Sequence, residues 1–259
     1  MEHMPYKRSS DLSFRAKFRS CDVPDCFKEC EIVTVPLFSD INKIISLAER
    51  GFNVAVEIPR AFFGMEQKVK EALETVNKYG INDVYCNNIG AVALAREMNF
   101  TLHGGFALNI FNTKSIEFYN ELGVTDTELS FELTAAQINK LGGSIKRGII
   151  GYGYLPLMIM RNCPNKNGNG CKNCGGKSFI TDRKGNNFTM MCSSGCTELI
   201  NSTPLILSDK LESFKNIDFI TLSFTQETKK ECEQIYRYYK NKQKPHGQYT
   251  RGLYFRGVE

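Results

Sequence analysis

Short apolar runs recur along the chain, and most are followed by a stretch in which apolar residues have helical spacing. Val69, Leu73 and Val76, for example, share one face of a helix that Gly80 ends. The pattern predicts eight strands, at residues 31–37, 53–58, 82–87, 101–104, 126–130, 147–152, 204–207 and 219–224. It predicts helices at residues 40–50, 65–79, 89–98, 115–122, 134–141, 209–214 and 226–240.

Strands that alternate with helices pair in parallel through right-handed crossovers. Eight such units in 259 residues predict an α/β fold of the TIM-barrel type, a (β/α)₈ barrel, with a doubly wound open sheet as the alternative. No glycine fingerprint follows the first predicted strand, which favours the barrel. We expect an N-terminal extension at 1–30 and the barrel at 31–259, with an insertion at 161–203 after the predicted sixth strand.

The composition is that of a globular protein, with 42% hydrophobic and 24% charged residues. The 33 basic and 28 acidic residues give a net charge of +5, which is too small to indicate nucleic acid or membrane binding. The N-terminus lacks the apolar core of a secretion signal, and no apolar stretch is long enough to span a bilayer. We therefore expect a cytoplasmic protein with no membrane partner.

Five of the ten cysteines fall in the predicted insertion, with the spacing C-x7-C-x2-C-x17-C-x3-C. Cys171 and Cys174 form a metal-binding knuckle, and a predicted hairpin over 179–191 returns Cys192 to it. The fourth ligand is Cys163 or Cys196. Four thiolates suit zinc and also an iron–sulfur cluster; the closed arrangement favours zinc, and a purely structural role for the site stays open. A second group, Cys21, Cys26 and Cys30, offers three ligands at best and is interpreted as ordinary core or surface cysteines.

Polar residues at the ends of the predicted strands are candidates for a site, because a barrel displays these ends on one face. The candidate catalytic residues are His103 as general base, Glu132 and Arg161. The candidate ligand-binding residues are Glu57, Asn87 and Asn109. Such a ring suits a small anionic ligand or an RNA base. The alternative interpretation is that these residues cap helices or are solvated strand ends.

Two further candidates lie near the C-terminus, where Arg251 and Arg256 flank Tyr254 and Phe255. Arginine beside aromatic rings can contact phosphates and stack on bases. A tail that closes the barrel is the favoured alternative.

Several segments together resemble one family: LHGGFALNIFN at 102–112, GYGYLPLMIMRNCP at 151–164, ITDRKGNNF at 180–188, ELINSTPLILSDK at 198–210 and YTRGLYFRGVE at 249–259. They are similar to the C-terminal region of the long bacterial members of peptidase family U32, the collagenase-like proteases. The resemblance implies that this chain is either the C-terminal domain of such a protein, with an N-terminal catalytic barrel as its partner, or a short protein that corresponds to that domain alone.

The resemblance implies peptidase activity by the family name. It also implies, from other members, a part in oxygen-independent hydroxylation of ribosomal RNA, transfer RNA or ubiquinone precursors, which depends on an iron–sulfur cluster. We expect the RNA-modifying role, because the sequence shows no nucleophile–base pair for proteolysis. A metal-stapled accessory or RNA-binding domain without chemistry of its own is the alternative. The family pattern also favours Cys163 over Cys196 as the fourth ligand.

Overall fold

Eight parallel strands close into a barrel in the computed structural model, which describes residues 6–8, 11–164, 166, 175 and 177–258. The barrel strands are β1 (Ser13–Phe18), β2 (Ile32–Pro36), β3 (Val54–Glu57), β4 (Asp83–Cys86), β5 (Thr101–Gly104), β6 (Val124–Glu128), β7 (Lys146–Gly153) and β13 (Phe219–Phe224). They pair in chain order from β1 to β7, and β13 lies between β7 and β1. The predicted α/β barrel is therefore confirmed.

The first barrel strand lies in the segment that was predicted to be an extension. Residues 13–18 pair with both β2 and β13, so the predicted boundary at residue 31 is wrong. The predicted strand at 204–207 is also wrong as a barrel strand, because β12 (Leu205–Ile206) runs antiparallel to β7. Phe14 helps to hold β1 in the barrel, because its ring packs edge-on against Tyr236 and Tyr239 on the outer side of the barrel.

Six α-helices lie entirely within the described residues: α1 (Ile41–Glu49), α2 (Glu66–Lys78), α3 (Ile89–Glu97), α4 (Thr113–Glu121), α5 (Ala135–Ile138) and α6 (Lys229–Lys240). Short 3₁₀ helices occupy Asp25–Glu29, Phe106–Leu108 and Leu211–Ser213. Asn88 and Asn112 cap α3 and α4, and Thr134 and Thr228 begin α5 and α6 with capping boxes. None of these helices is both long and apolar enough to cross a membrane, as far as the described residues reach.

A separate antiparallel sheet, here called the small sheet, lies between β7 and β12. Its strands are β8 (Pro156–Met160), β9 (Lys177–Thr181), β10 (Asn187–Ser193) and β11 (Cys196–Ile200), in the order β8-β11-β10-β9. The predicted hairpin over 179–191 is present as β9 and β10. The insertion follows the seventh barrel strand and not the sixth, because the prediction did not count β1.

Charged side chains connect opposite sides of the barrel interior. Arg15 on β1 donates to both carboxylate oxygens of Asp126 on β6, at 2.6 and 3.0 Å, and its Nε donates to Glu31 at 3.0 Å. His103 on β5 binds Asp126 through Nδ1 and Asp83 through Nε2, each at 2.9 Å. Arg15, His103 and Asp126 are buried. A buried charge is tolerated only when it is paired and hydrogen-bonded, so these residues hold one another in place.

We expect Asp126→Asn to lower the free energy of unfolding by about 3–5 kcal/mol, because it leaves two buried cations without their shared carboxylate. Urea denaturation followed by circular dichroism measures this change. Asp11→Asn is the matched control, since Asp11 is exposed and such a substitution changes stability by at most about 0.5 kcal/mol. Equal, small effects of both substitutions would contradict a structural role for the ion network.

Candidate functional site

A cavity of about 300 Å³ lies between the C-terminal ends of the barrel strands and the small sheet. In a parallel barrel these ends form one face, where side chains from several strands converge. The charged residues that line the cavity are Lys17, Arg19, Glu57, Arg60 and Glu198. Its apolar lining includes Phe106, Ile150, Leu155, Ile159 and Ile200. The cavity thus combines an apolar wall with a few converging charges, which is typical of small-molecule sites.

Glu57, the last residue of β3, is held in a fixed orientation within the cavity. Its Oε1 accepts hydrogen bonds from Lys17 Nζ at 2.5 Å and from Asn87 Nδ2 at 2.8 Å. Among the described residues, no group donates to the second oxygen, Oε2. A carboxylate with one oxygen fixed and the other open has the geometry of a general base.

Lys17 is enclosed by aromatic rings as well as by this carboxylate. Its Nζ lies 5.0 Å from the centre of the Tyr85 ring and 5.7 Å from that of Phe106. The attraction between an ammonium group and a ring face adds to the ion pair with Glu57. Lys17 is the penultimate residue of β1, so the strand itself carries this cation to the rim of the barrel.

A second carboxyl group lies deeper, below the cavity. Glu128 on β6 accepts hydrogen bonds from the Tyr85 hydroxyl and from the backbone N–H of Phe106. Both bonds go to Oε2, and Oε1 is buried without a partner among the described residues. Burial raises the pKa of Glu128 and outweighs the hydrogen bonds that oppose the shift. The barrel interior therefore stabilises the neutral form of this carboxyl group relative to that of an exposed glutamate.

Arg19 and Arg60 approach the cavity from two different barrel loops, and Glu198 faces them from the small sheet. Arg19 follows β1, Arg60 follows β3, and Glu198 lies on β11. Arg19 Nη1 is 3.4 Å from Glu198 Oε2, and Arg60 Nη1 is 3.5 Å from Glu198 Oε1. The guanidinium of Arg60 also lies 5.2 Å from the centre of the Phe106 ring.

Cys192 and Cys196 belong to the β10–β11 hairpin, but they occupy opposite faces of it. Ser193 pairs with Cys196, and Cys192 pairs with Thr197. Residues that pair in a ladder share a face and successive residues alternate, so the two thiols point away from each other. Cys196 is on the same face as Glu198 and is buried, whereas Cys192 is exposed.

The structure brings together two of the predicted site residues, Glu57 and Asn87, in the cavity. It does not bring His103 there: both ring nitrogens of His103 are bound to carboxylates inside the barrel. This arrangement corrects the interpretation of His103 as a general base at the edge of a strand, because neither nitrogen faces the cavity. The two carboxylates that bind its ring indicate instead that His103 has a structural role as a buried cation.

The other predicted catalytic and ligand-binding residues lie outside the cavity lining. Glu132 is exposed, and Asn109 ends the 3₁₀ helix at 106–108 in a left-handed conformation. Arg161 is exposed and lies 5.5 Å from the centre of the Phe63 ring. These three positions follow strand ends in the sequence, but their loops carry the side chains away from the cavity.

Arg251 and Arg256 lie in the C-terminal tail. Arg251 forms a two-point ion pair with Asp209, at 2.6 and 2.9 Å, and donates to the backbone oxygen of Ile206 at 2.7 Å. Tyr254, between the two arginines, is buried and donates to Ile150 O at 3.1 Å. Arg256 is exposed. These contacts favour the interpretation of the segment as a tail that packs against the barrel.

The predicted metal ligands fall partly outside the described residues. Cys171 and Cys174 lie outside them, and Cys163 is half-buried near the end of β8. Within the described ranges, no group of three or more His, Cys, Asp or Glu side chains is arranged to hold a metal ion. In the other cysteine group, Cys30 is buried and Cys21 and Cys26 are half-buried.

Sequence analysis missed Lys17, Arg19, Arg60 and Glu198 as cavity residues. The alternation in SFRAKFR was the available signal for the first two, since it places Arg15, Lys17 and Arg19 on one side of a strand. Arg60 comes two residues after a predicted strand end, close to a strand end as the candidate residues are. No local pattern marks Glu198, whose role depends on how the small sheet folds over the barrel.

Comparison with known proteins shows which family this architecture belongs to. The model of Peptidase family U32 matches residues 39–188, which are 150 of the 259 residues. The chain belongs to peptidase family U32. The match begins just before α1 and ends in β10, so it includes Glu57, Arg60 and Asn87 but neither Lys17 nor Arg19. The resemblance seen in the sequence is confirmed.

Solved structures with similarity to this U32 chain share little sequence with it. One is the U32 peptidase Mk0906, with 11% identity and a TM-score of 0.49, covering 87% of this chain and 98% of that one. Another is Aspergillus fumigatus Ega3 in complex with galactosamine, with 11% identity and a TM-score of 0.37, covering 74% of this chain and 97% of that one. A search of curated proteins finds no match.

The environment of His103 generates a prediction about pH in this U32 chain. Burial opposes protonation of the ring, but the hydrogen bonds to Asp126 and Asp83 outweigh it and raise the pKa of His103 to about 9. The pKa in the unfolded chain is about 6.5, so the folded state binds the proton more tightly. The stabilisation is complete below pH 6.5 and is lost as the pH rises towards 9.

We expect the urea midpoint of the wild-type chain to fall between pH 6.5 and pH 9 more steeply than that of His103→Gln. The difference in slope isolates His103 from thiols that titrate in the same range, because both chains contain these thiols. Parallel slopes over this range would show that the buried imidazole is not held in its protonated form.

Proposed function

We propose that this U32 chain is the enzyme domain of an RNA-modifying system of the oxygen-independent hydroxylase type, and that its reaction takes place in the cavity above the barrel. The observation that carries the proposal is the Glu57 carboxylate, with Oε1 fixed by Lys17 and Asn87 and Oε2 open to the cavity. A binding module needs no carboxylate with this geometry, whereas a proton transfer does.

The residues around Glu57 fit this role. Lys17 and Asn87 orient the carboxylate, so Oε2 can accept a proton from a bound substrate without a rearrangement. Lys17 also provides positive charge beside any negative charge that develops as the proton leaves. The small sheet forms one wall of the cavity, which limits the access of water to the reacting group from that side.

The rim of the cavity supports an RNA substrate. Phe38, which lines the cavity, is 41% exposed; Phe63, which lies outside the lining, is 64% exposed beside Arg161. Aromatic rings and guanidinium planes on a surface stack on unpaired bases, and arginine also contacts phosphates. An unpaired nucleotide could therefore stack at the rim while its reactive atom enters the cavity.

A Cys-bound metal is part of this proposal, with Cys163, Cys171, Cys174 and Cys192 as the ligands. The exposed position of Cys192 fits a ligand, whereas Cys196 is buried on the opposite face of the hairpin. Zinc is favoured and would fasten the small sheet; an iron–sulfur cluster would instead take up electrons that hydroxylation without oxygen removes from the substrate carbon. The proton transfer proposed for Glu57 and Lys17 does not use this metal.

The first experiment compares nucleosides from RNA of a strain that lacks this chain with RNA from the parent strain. We expect mass spectrometry of digested ribosomal and transfer RNA to show one hydroxylated nucleoside that is absent from the deletion strain. Wild-type protein should restore it, and Glu57→Gln should lower its rate of formation by about 10²-fold or more, because the base is lost.

Glu132→Gln is the matched control, since Glu132 is an exposed carboxylate outside the cavity; we expect it to restore the nucleoside fully. Full restoration by Glu57→Gln would contradict a catalytic role for the cavity and would favour an accessory domain. Unchanged nucleosides together with cleavage of casein by the purified chain would favour a peptidase.

The second experiment concerns the metal. We expect anaerobically purified Cys192→Ser to lose most of its bound metal and Cys196→Ser to keep it, because only one of the two thiols belongs to the proposed ligand set. Elemental analysis by mass spectrometry measures zinc and iron in both variants. Equal loss would place Cys196 among the ligands, and full metal content in Cys192→Ser would contradict the proposed set.

A further inference from the structure

A carboxylate from the small sheet spans two arginines of the barrel at the edge of the cavity. Glu198 directs one oxygen towards Arg19 at 3.4 Å and the other towards Arg60 at 3.5 Å. The side chains are partly buried, with relative exposures of 16% for Glu198 and 27% for each arginine. The three groups belong to separate parts of the fold, because the arginines follow β1 and β3 and the glutamate lies on β11.

The contacts of Glu198 are long for charged partners. Charge-assisted hydrogen bonds between guanidinium and carboxylate are typically about 2.7–2.9 Å long. Elsewhere in this chain the two-point pair of Arg251 with Asp209 has distances of 2.6 and 2.9 Å. Glu198 therefore lies between the two guanidinium groups without closing on either, and its release breaks only weak contacts.

We propose that Arg19 and Arg60 form a binding subsite for a carboxylate or phosphate group of a small ligand, and that Glu198 occupies this subsite until the ligand displaces it. The planar guanidinium fork binds both oxyanions through paired hydrogen bonds. This inference rests on the proposed function only in taking the same cavity as the functional site.

The charges of the cavity favour the exchange. Lys17, Arg19 and Arg60 contribute +3, and Glu57 and Glu198 contribute −2, so the closed cavity carries +1. Movement of Glu198 into solvent leaves +2, which an incoming anion neutralises in part or completely. The apolar body of the ligand would lie against Phe106, which is 5.2 Å from the Arg60 guanidinium.

The exchange also weakens the connection between the small sheet and the barrel. Arg19 binds this sheet twice, through Glu198 and through the backbone oxygen of Cys192 at 3.3 Å. An anion that takes over the guanidinium removes the first contact and competes for the second. We therefore expect ligand binding to increase the mobility of β10 and β11.

The test uses inorganic phosphate and malonate as probes, titrated into the purified chain by isothermal titration calorimetry. We expect Glu198→Gln to bind at least one probe with a dissociation constant at least fivefold lower than wild type, because the competing carboxylate is gone. Adding Arg19→Gln or Arg60→Gln to this variant should abolish the gain. Glu132→Gln, an exposed carboxylate outside the cavity, is the matched control and should bind as wild type does.

Hydrogen exchange gives a second readout on the wild-type chain. We expect a saturating probe to speed amide exchange in residues 187–200 and to have no such effect in Arg19→Gln. A preference for phosphate or for malonate identifies which oxyanion the ligand carries.

Equal affinities in wild type and Glu198→Gln, or binding that survives both arginine substitutions, would overturn the proposal. These measurements need no RNA. The proposal of an anion subsite can therefore be contradicted while nucleoside formation still depends on Glu57. Equally, anion binding can be observed when nucleoside formation does not depend on Glu57.

Discussion

The ion pair between Arg15 and Asp126 is the interaction on which the barrel interior depends. It joins β1 to β6, which are three steps apart around the barrel through β13 and β7 and five steps apart through β2 to β5, so the pair spans the interior. The Arg15 guanidinium also covers the ring of Phe219 at 3.6 Å, and Asp126 holds the imidazole of His103. Most barrels fill this space with branched apolar side chains. Here charge pairing takes their place, and each member is satisfied by the others.

The polar interior continues upward into the cavity. Inward positions alternate along a strand, so the strand that places Arg15 in the ion network places Lys17 beside Glu57 and brings Arg19 to the rim. The same spacing on β6 puts Glu128 above Asp126. The ion network around Arg15 and the cavity residues around Lys17 thus occupy successive inward-facing positions of the same strands. A shift in the register of β1 would displace both groups together.

The sequence predicted the fold class because β2 to β6 and β13 are short strands that helices follow, and β7 is an apolar run of the same kind. It missed β1 because SFRAKF alternates charged with apolar residues, which is typical of a strand with one solvated face; here the charged face is the barrel interior. Glu57 and Asn87 were predicted because they end strands. The partners of Glu57 and the position of Glu198 depend on pairing between distant segments, which no local pattern reports.

The seam that closes the barrel joins two strands from nearly opposite ends of the described chain. Ser13 lies beside Phe219, and Phe18 beside Phe224, so 206 residues separate the paired positions. During synthesis β1 emerges from the ribosome before the other barrel strands. It can pair with β2 early, but it can pair with β13 only after that strand has emerged. Until then Arg15 and Lys17 have no enclosed space to occupy, and both edges of the growing sheet stay unpaired. Contacts of such long sequence separation slow folding, so the nascent chain must keep a barrel strand with two inward-facing cations in solution until the last strand arrives.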